Sequence, residues 1–428
     1  MGPIIMKATG SEIICCGFNC RPIAQKLAEA GYRPVVIDYF GDLDIRPYAA
    51  EGHYFLDESP GPKDADHFKA WALATLDRLA RSRGGGKPLI LPGSGFDDEP
   101  GAWTQFASLG RVLGSSSEAV GRARNLGAIH DLFRKIASPF LVPDTMHVTI
   151  DAATDPAAAA REIRDQLAFP VVAKRTRTAG GAGIELARRA GSLEQVFRLA
   201  QEGLRGTPTA SVSFNVQEFV GGAWATDASV LAIDSRVVCK TLQAIGDATL
   251  RAPKRFSYCG NTIPFDKGDP DLDHSIDSLI TALHRDFGLE GLYGLDMVLA
   301  KGKAYVVEIN PRVPGSTELA SISVGRNLIA DHVNSFLAPG RLPRMYTPAC
   351  HAIKRILFVA KDFTMPALDT LAIHGELHDI TPPGTPVSRG MPVVTYMHHG
   401  PLDAAGAVDV AAKQDIKAIY AFLERERP

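Results

Sequence analysis

The sequence lacks the segments that mark a membrane protein, a secreted protein or a nucleic-acid-binding protein. No apolar run reaches the roughly 18–20 residues needed to cross a bilayer. The first 18 residues carry one lysine and no long apolar core, which is unlike a secretory signal. Lysine and arginine total 46 against 48 aspartate and glutamate, a net charge of −2. No basic excess is available for nucleic acid or an anionic membrane, so we expect neither partner.

Paired cysteine spacings are also missing. The six cysteines form no CxxC pair and no regular disulfide framework, which favours a reducing, cytoplasmic location. Cys15, Cys16 and Cys20 lie in or just after an apolar run. We interpret them as buried strand residues, with metal binding as the alternative.

The composition is that of an ordinary globular protein. Hydrophobic residues make up 45% and charged residues 22% of the chain. Its length of 428 residues predicts two to four domains. The first ~115 residues alternate strands with helices, and this order predicts a parallel, doubly wound sheet. The segments that carry this prediction are strands at Glu12–Gly17, Pro34–Tyr39 and Pro88–Leu91 and a helix at Ala70–Arg83.

The turn after the first strand argues against a dinucleotide site. Asn19 is expected to cap the first helix, with Pro22 in its first turn. The loop that begins at Gly17 lacks the second and third glycines of GxGxxG. Without them the backbone cannot approach a pyrophosphate closely, so we expect a Rossmann-like fold with another role.

The rest of the chain contains helices, short strands and no internal repeat. Pro339–Pro348, with three prolines, is interpreted as a linker. The expected strands are Phe169–Lys174 and Ser213–Val220, and the expected helices are Ala119–Ala137, Ala157–Leu167, Ser192–Glu202, Ser275–Phe287 and Ala411–Arg425.

The segment GLYGLDMVLAKGKAYVVEINPR, at Gly291–Arg312, predicts a hairpin with acidic residues on one face. With a three-residue loop Asp296 lies opposite Glu308, and Asn310 shares their face. Like charges directly opposite each other destabilise a sheet, so this arrangement suggests a bound cation, Mg²⁺ or Mn²⁺. A two-residue loop would instead place Asp296 opposite Val307 and separate the acids. A solvated polar face is the alternative to a metal site.

Two further segments suggest nucleotide binding. Lys174 ends a buried strand and is followed by the glycine loop RTRTAGGAGI, whose amides can turn towards phosphate oxygens. This loop is not a P-loop, because no GKS or GKT follows it. The segment QEFVGG, at Gln217–Gly222, offers either a backbone edge for an adenine ring or an ordinary hinge.

Together, the lysine strand with its glycine loop, the QEFVGG hinge and the DMV…VVEINPR hairpin resemble the ATP-grasp superfamily over about residues 119–335. More narrowly, GFNCRPIAQKLAEAGYRPVVIDYFGDLD and KRFSYCGN resemble carboxylase-related carboligases of archaea and methylotrophic bacteria. Relatives of that group are amino-acid ligases for methanopterin- and methanofuran-type cofactors.

The resemblance implies an α/β fold with three parts. We expect a Rossmann-like domain at 1–118, an ATP-grasp domain at 119–345 with a lid at about 143–222, and a small β-rich domain at 346–428. It also implies ATP and two Mg²⁺ (or Mn²⁺) ions as cofactors, small carboxylate and amine substrates, and a homodimer as one arrangement.

The resemblance also implies a role for each residue of this chain that matches a position of the family's motifs. The implied metal ligands are Asp296, Glu308 and Asn310, and Arg312 would steady the acyl phosphate and the oxyanion. The implied ATP contacts are Arg124, Lys174, Ala179, Gly180, Gly181, Gly183, Gln217, Glu218, Phe219 and Val220. Asp227 would replace the acid for the ribose that many relatives have near Ala223 and Trp224. Some relatives have an arginine where this chain has Gly294; Arg251, Lys254 or Arg255 would supply that charge.

The implied reaction joins a carboxylate to an amine through an acyl phosphate, in cofactor or small-peptide biosynthesis. A biotin-carboxylase-like enzyme and a non-catalytic ATP-binding sensor are the alternatives. Cys259 is a weak candidate for a nucleophile, because no histidine lies near it in sequence. His398-His399 is interpreted as a turn. Asp97-Asp98-Glu99 is interpreted as a solvated loop, with binding of the amine substrate as the alternative.

Overall fold

The computed structural model describes residues 10–84, 86–176, 178, 180–181, 183–204, 210–222 and 225–425. Its N-terminal sheet is parallel, with strand order β3-β2-β1-β4-β5. This confirms the α/β prediction with a parallel sheet. The strands are β1 (Glu12–Gly17), β2 (Arg33–Asp38), β3 (Glu51–Tyr54), β4 (Leu89–Pro92) and β5 (Arg111–Val112).

The chain reverses its winding direction between β1 and β4, which is where open α/β sheets bind ligands beyond the carboxyl ends of their strands. Helices cover the sheet, and their apolar faces pack on strand residues such as Ile14 and Ile90. In this part of the chain the helices are α1 (Arg21–Glu29), α2 (Phe55–Glu58), α3 (Ala65–Ser82) and α4 (Pro100–Leu109).

Helix α1 begins one residue later than expected. Cys20, not Asn19, is its N-cap, and Pro22 stands in its first turn as predicted. The Cys20 amide donates to the Asp38 carboxylate at 2.7 Å, while the Asn19 side chain accepts from the Arg21 amide. The carboxylate at the end of β2 therefore replaces the expected side-chain cap.

The predicted helix Ala119–Ala137 is two helices, α5 (Ser117–Arg124) and α6 (Leu126–Lys135). Asn125 interrupts them with an extended backbone, and its side chain caps α6 by accepting from the Ala128 amide at 3.1 Å. The break leaves Arg124 at the last turn of α5, beside the central sheet.

A small antiparallel sheet of order β6-β9-β7-β8 follows, and two helices pack on it. Its strands are β6 (Thr145–Ile150), β7 (Val171–Arg175), β8 (Ile184–Ala187) and β9 (Val212–Glu218), and its helices are α7 (Pro156–Gln166) and α8 (Ala190–Glu202). The glycine loop connects β7 to β8, so this sheet holds Lys174 at the mouth of that loop.

The central sheet is antiparallel, with order β14-β13-β10-β11-β12-β15-β19-β17. Strands from after residue 345 extend this sheet, because β15 pairs with β12. The strands of this sheet are β10 (Thr226–Ile233), β11 (Arg236–Ile245), β12 (Tyr258–Ile263), β13 (Leu292–Ala300), β14 (Lys303–Asn310), β15 (Cys350–Phe358), β17 (Glu376–His378) and β19 (Pro392–Pro401). The strands β16 (Phe363–Thr364) and β18 (Pro386–Val387) form a separate antiparallel pair. The helices in this part of the chain are α9 (Pro270–Ala282), α10 (Thr317–Ser323), α11 (Leu328–Leu337) and α12 (Ala405–Arg425).

Strand β19 and helix α12 are both longer than expected. His398 and His399 lie within β19, so the turn expected there is wrong. Helix α12 begins at Ala405 rather than Ala411. Over the described ranges, no helix is both long and apolar enough to cross a membrane.

A buried ion-pair network joins the N-terminal sheet to the central one. The fully buried Arg21 guanidinium, in α1, pairs with Glu318 in α10 and with Asp379 after β17. Lys354 on β15 adds a second cation 3.4 Å from Glu318. Burial opposes ionisation of Glu318, but the charge of Arg21 holds the pKa of this carboxyl at about 2.

We predict that Arg21→Ala destabilises the protein strongly. Removing one partner of a buried pair leaves uncompensated charge and costs about 3–5 kcal/mol. The control is Arg81→Ala, which removes an exposed arginine that pairs with Asp77; exposed pairs contribute little. Urea unfolding followed by circular dichroism measures both changes. Equal midpoints for Arg21→Ala and the wild type would contradict the assignment.

Candidate active site

A single large cleft lies between the small sheet, the central sheet and the carboxyl edge of the N-terminal sheet. Its volume is about 1220 Å³, larger than the roughly 300–1,000 Å³ of an ordinary small-molecule site. All the predicted site residues line it except Arg251 and Ala179, the latter of which lies outside the described residues. The cleft therefore brings together predicted site residues from Arg124 to Arg312, which are 188 positions apart in sequence.

The hairpin of β13 and β14 positions the acidic pair through a β-bulge. Lys301 and Gly302 form a two-residue turn with φ of 53° and 71°, and Ala300 pairs with Lys303. The register then shifts by one residue between Asp296 and Met297. Asp296 therefore faces Glu308, although the loop has the length expected to separate them.

The extra residue of the bulge is Val307, which lies between the pairs Met297–Val306 and Asp296–Glu308. Its carbonyl oxygen accepts from Lys174 Nζ at 3.4 Å. A bulge leaves one residue outside the ladder. Here it both restores the acidic pair and supplies a backbone contact to the lysine of β7.

Among the described residues, the groups that donate hydrogen bonds to Asp296 are amides, and the charge of Arg312 acts on it without a direct hydrogen bond. Gln243 Nε2 and Asn310 Nδ2 each donate to its carboxylate at 2.9 Å. Burial, and then the adjacent charge of Glu308, raise the pKa of Asp296 from 3.8 to about 7. The charged form is therefore costly unless a cation is close.

Glu308 is held ionised by two cations. Arg124 Nη1 donates to Glu308 Oε1 at 2.6 Å. Burial opposes ionisation, but the charges of Arg124 and Lys174 keep the pKa of Glu308 below its usual value. Burial also lowers the pKa of Lys174, although the charge of Glu308 opposes this.

The oxygen donors suit a divalent cation that is shared with a substrate. Within the described ranges, no group of three or more His, Cys, Asp or Glu side chains is arranged to hold a metal by itself. Asp296 and Glu308, with the amide of Asn310, form an incomplete oxygen shell. Mg²⁺ is commonly bound by one or two carboxylates together with substrate phosphates, so the residues present fit such an ion.

Arg312 and Arg124 each form an ion pair with an acidic residue of the loop that follows β4. Arg312 Nε pairs with Asp97 at 2.9 Å, and Arg124 pairs with Asp98 at 2.7 Å. Arginines therefore engage both carboxylates of the loop after β4, so this loop is not simply solvated. Asp97 Oδ1 is buried without a hydrogen-bond partner among the described residues, and amine binding by this loop stays a prediction. Its position after a strand of the parallel sheet was the available signal.

The glycine loop packs against the segment before β12. Gly180 O accepts from the Tyr258 amide at 3.2 Å, and Gly181 has φ of +83°. A Cβ on Gly181 would lie 1.9 Å from Phe256 O, so only glycine fits this contact. Lys254 reinforces it through a 2.7 Å pair with Glu185 of β8.

The QEFVGG segment presents backbone to the cleft. The amides of Glu218 and Phe219 donate to Asp144 O and Pro170 O. The Val220 amide donates to none of the residues the structure describes, which suits an adenine acceptor. Gln217 is buried and donates to Thr145. Asp227, on the neighbouring β10, is half-buried, and burial raises its pKa.

Arg251 does not line the cleft, so the structure contradicts this candidate for the charge missing near Gly294. It pairs with Glu424 at 2.5 Å and stacks on the Tyr420 ring at 3.9 Å, both in α12. Lys254 and Arg255 do line the cleft, and Arg255 lies over the Phe219 ring at 5.3 Å. Cys259 is buried, away from the lining.

Comparisons with known proteins agree with this geometry. A family model described as an ATP-grasp domain matches residues 149–316. An uncharacterised protein of Methanocaldococcus jannaschii is 26% identical over 169 residues, 40% of this chain and 37% of the relative. The N-terminal section of the carbamoyl phosphate synthase large chain of Methanopyrus kandleri is 26% identical over 219 residues, 50% of this chain and 36% of the relative. The alignments thus span little more than a third of these relatives.

Among solved structures, the biotin carboxylase domain of Hydrogenobacter thermophilus 2-oxoglutarate carboxylase has a TM-score of 0.69 and 13% identity, covering 94% of this chain and 89% of that chain. At that identity the likeness is one of fold. It confirms the expected ATP-grasp fold with its parallel and antiparallel sheets. Residues 149–316 of this chain therefore match an ATP-grasp domain, and the chain is similar to part of a carbamoyl phosphate synthase in sequence and to a biotin carboxylase domain in fold.

Proposed function

We propose that this protein is an ATP- and Mg²⁺-dependent ligase that joins a carboxylate to an amine through an acyl phosphate. We place it nearest to the carboxylase-related carboligases, with a role in cofactor biosynthesis. One observation carries the proposal: Asp296 and Glu308 face each other in the cleft that Lys174, Arg124 and Arg312 also line.

The cations of the cleft suit the phosphates of ATP. Lys174, at the end of β7, and Arg124, at the end of α5, both act on Glu308 and would bind phosphate oxygens from opposite sides of it. Asp296, Glu308 and Asn310 would hold Mg²⁺, which neutralises phosphate charge during transfer. The backbone of Val220 would bind adenine, and Asp227 the ribose.

Two displacements follow each other, and each forms one bond and breaks another. A carboxylate oxygen of the acid attacks the γ phosphorus and ADP leaves, and the amine nitrogen then attacks the acyl carbon and inorganic phosphate leaves. Arg312, which is 13% exposed and beside Asn310, would stabilise the oxyanion of the second step. The glycine loop would keep water from the acyl phosphate.

A carboxylase that activates bicarbonate is the second candidate. It is favoured by the fold likeness to the Hydrogenobacter biotin carboxylase domain, whose structure holds MgADP and bicarbonate. A nucleotide-binding sensor is a third hypothesis. A sensor would bind MgATP without releasing ADP, whereas both enzymes would turn it over.

The function is tested by measuring ADP release with a panel of carboxylic acids, with hydroxylamine as a general trap for an acyl phosphate. The ligase proposal predicts acid-dependent ADP release and a hydroxamate product. Release stimulated by bicarbonate alone would favour the carboxylase. Binding of MgATP without release of ADP for any acid or bicarbonate would favour the sensor.

We predict opposite effects of Asp296→Asn with and without metal. The folded-state pKa of Asp296 is raised from 3.8 to about 7, so the wild type loses stability as pH rises across this window and the variant does not. In metal-free buffer at pH 8 the variant should therefore melt at the higher temperature. Adding MgADP at about 100 times Kd should stabilise the wild type by about 2.7 kcal/mol and the variant much less.

Differential scanning calorimetry in EDTA and in MgADP measures both effects. Glu308→Gln serves as the comparison, because it also removes a carboxylate but takes away one of the two acidic partners of Arg124, which keeps Asp98. Equal stabilisation of wild type and Asp296→Asn by MgADP would contradict the assigned metal site.

We predict that Gly181→Ala slows turnover by about 10²-fold, because displacing the loop from Phe256 misplaces the phosphate-binding backbone. The matched control is Gly191→Ala in α8, the helix that packs on the same small sheet; there a Cβ would meet nothing within 4 Å. Steady-state ADP release measures the rates. A normal rate for Gly181→Ala would show that the contact with Phe256 is dispensable.

A further inference from the structure

The cleft has a second wall that the nucleotide chemistry does not use. It is formed by the loop after β2, the start of α1 and the C-terminal strands, and it includes Asn19, Asp42, Lys354, Asp379 and Thr395. This wall continues the same cavity, whose volume exceeds that of an ordinary single-ligand site.

Asp42 is the unusual member of this wall. It is 6% exposed and lines the cleft. Within the part of the chain that the structure describes, no residue forms a hydrogen bond or an ion pair with its carboxylate. Buried carboxylates are nearly always paired, so an unpaired one that opens onto a cavity points to a partner from outside the chain.

The other acids nearby are already engaged. Asp379 pairs with Arg21 and accepts from Asn19, and Glu318 pairs with Arg21 and Lys354. Asp44 lies 3.4 Å from Arg21 and accepts backbone amides after β17.

Around Asp42 the balance of charge is negative. The carboxylates whose charges act on Asp42 are those of Asp379, Asp38 and Asp44, and the cation that opposes them is Arg21. Burial, and then the charges of Asp379 and Asp38, raise the pKa of Asp42 well above its usual value. An ionised Asp42 is therefore costly in the free protein, and a bound cation would remove that cost.

The geometry points to a substrate-binding role: we propose that Asp42 binds a primary ammonium group of the amine substrate. This inference rests on the proposed ligase function, which requires an amine in this cleft. A metal ion is disfavoured because no group of three ligating side chains surrounds it among the described residues. An ammonium group needs only one carboxylate and nearby oxygen acceptors.

The test uses butylammonium as the probe and 1-butanol as its neutral match. Binding to the full-length protein is measured by ligand-observed NMR at pH 8, with and without MgADP. The wild type should bind butylammonium and not butanol. Asp42→Asn should weaken butylammonium binding by at least about tenfold, since the amide oxygen that remains accepts from the ammonium group without a negative charge.

Two controls keep the test specific. Asp57→Asn removes the same charge from an exposed site outside the cleft, where Asp57 pairs with Arg46, and should leave butylammonium binding unchanged. Asp42→Asn should also melt above the wild type at pH 8, because it removes a costly carboxylate, and this shows that the variant is folded.

The outcomes separate this inference from the proposed function. MgADP binding without detectable butylammonium binding, or equal butylammonium binding by wild type and Asp42→Asn, overturns the role of Asp42 and leaves the ligase proposal standing. Butylammonium binding that is lost in Asp42→Asn, in a protein that does not bind MgADP, supports Asp42 and contradicts the ligase.

Discussion

The candidate site depends on the repulsion between two carboxylates that the fold holds face to face. Asp296 and Glu308 lie opposite each other on adjacent strands, and the pKa values of the two groups are driven apart. Glu308 stays ionised because Arg124 and Lys174 are beside it, whereas Asp296 has only amide partners. A cation placed between them and a triphosphate would satisfy both, and this is why we propose that the pair binds a metal ion that arrives with the nucleotide.

The bulge that creates this pair shows what a sequence pattern can and cannot predict. The alternation of residues along VVEINPR correctly placed Glu308 and Asn310 towards Asp296, but the loop length alone gave two incompatible registers. The structure has the two-residue turn that should have separated the acids, and Val307 restores their pairing as an extra residue. A bulge leaves no clear mark in a run of valines, because its position depends on packing and on backbone contacts such as that with Lys174.

Local patterns predicted the parallel N-terminal sheet, the hairpin of β13 and β14 and the glycine loop, because each depends on neighbours in sequence. Most of the predicted ATP contacts were instead implied by the resemblance to the ATP-grasp superfamily. Contacts between distant segments were not predictable. Asp98 pairs with Arg124, 26 residues away in sequence, and Asp97 pairs with Arg312, 215 residues away. Arg251 contacts α12 instead of the cleft. The domain boundaries at 118 and 345 stay a prediction, since β12 and β15 hydrogen-bond across the second of them.

The central claim is tested most directly by the anomalous scattering of Mn²⁺ in crystals grown with a non-hydrolysable ATP analogue. The account predicts a Mn²⁺ peak in coordination contact with carboxylate oxygens of both Asp296 and Glu308 and with phosphate oxygens of the analogue. An analogue bound in the cleft with its Mn²⁺ held away from these two carboxylates would contradict it.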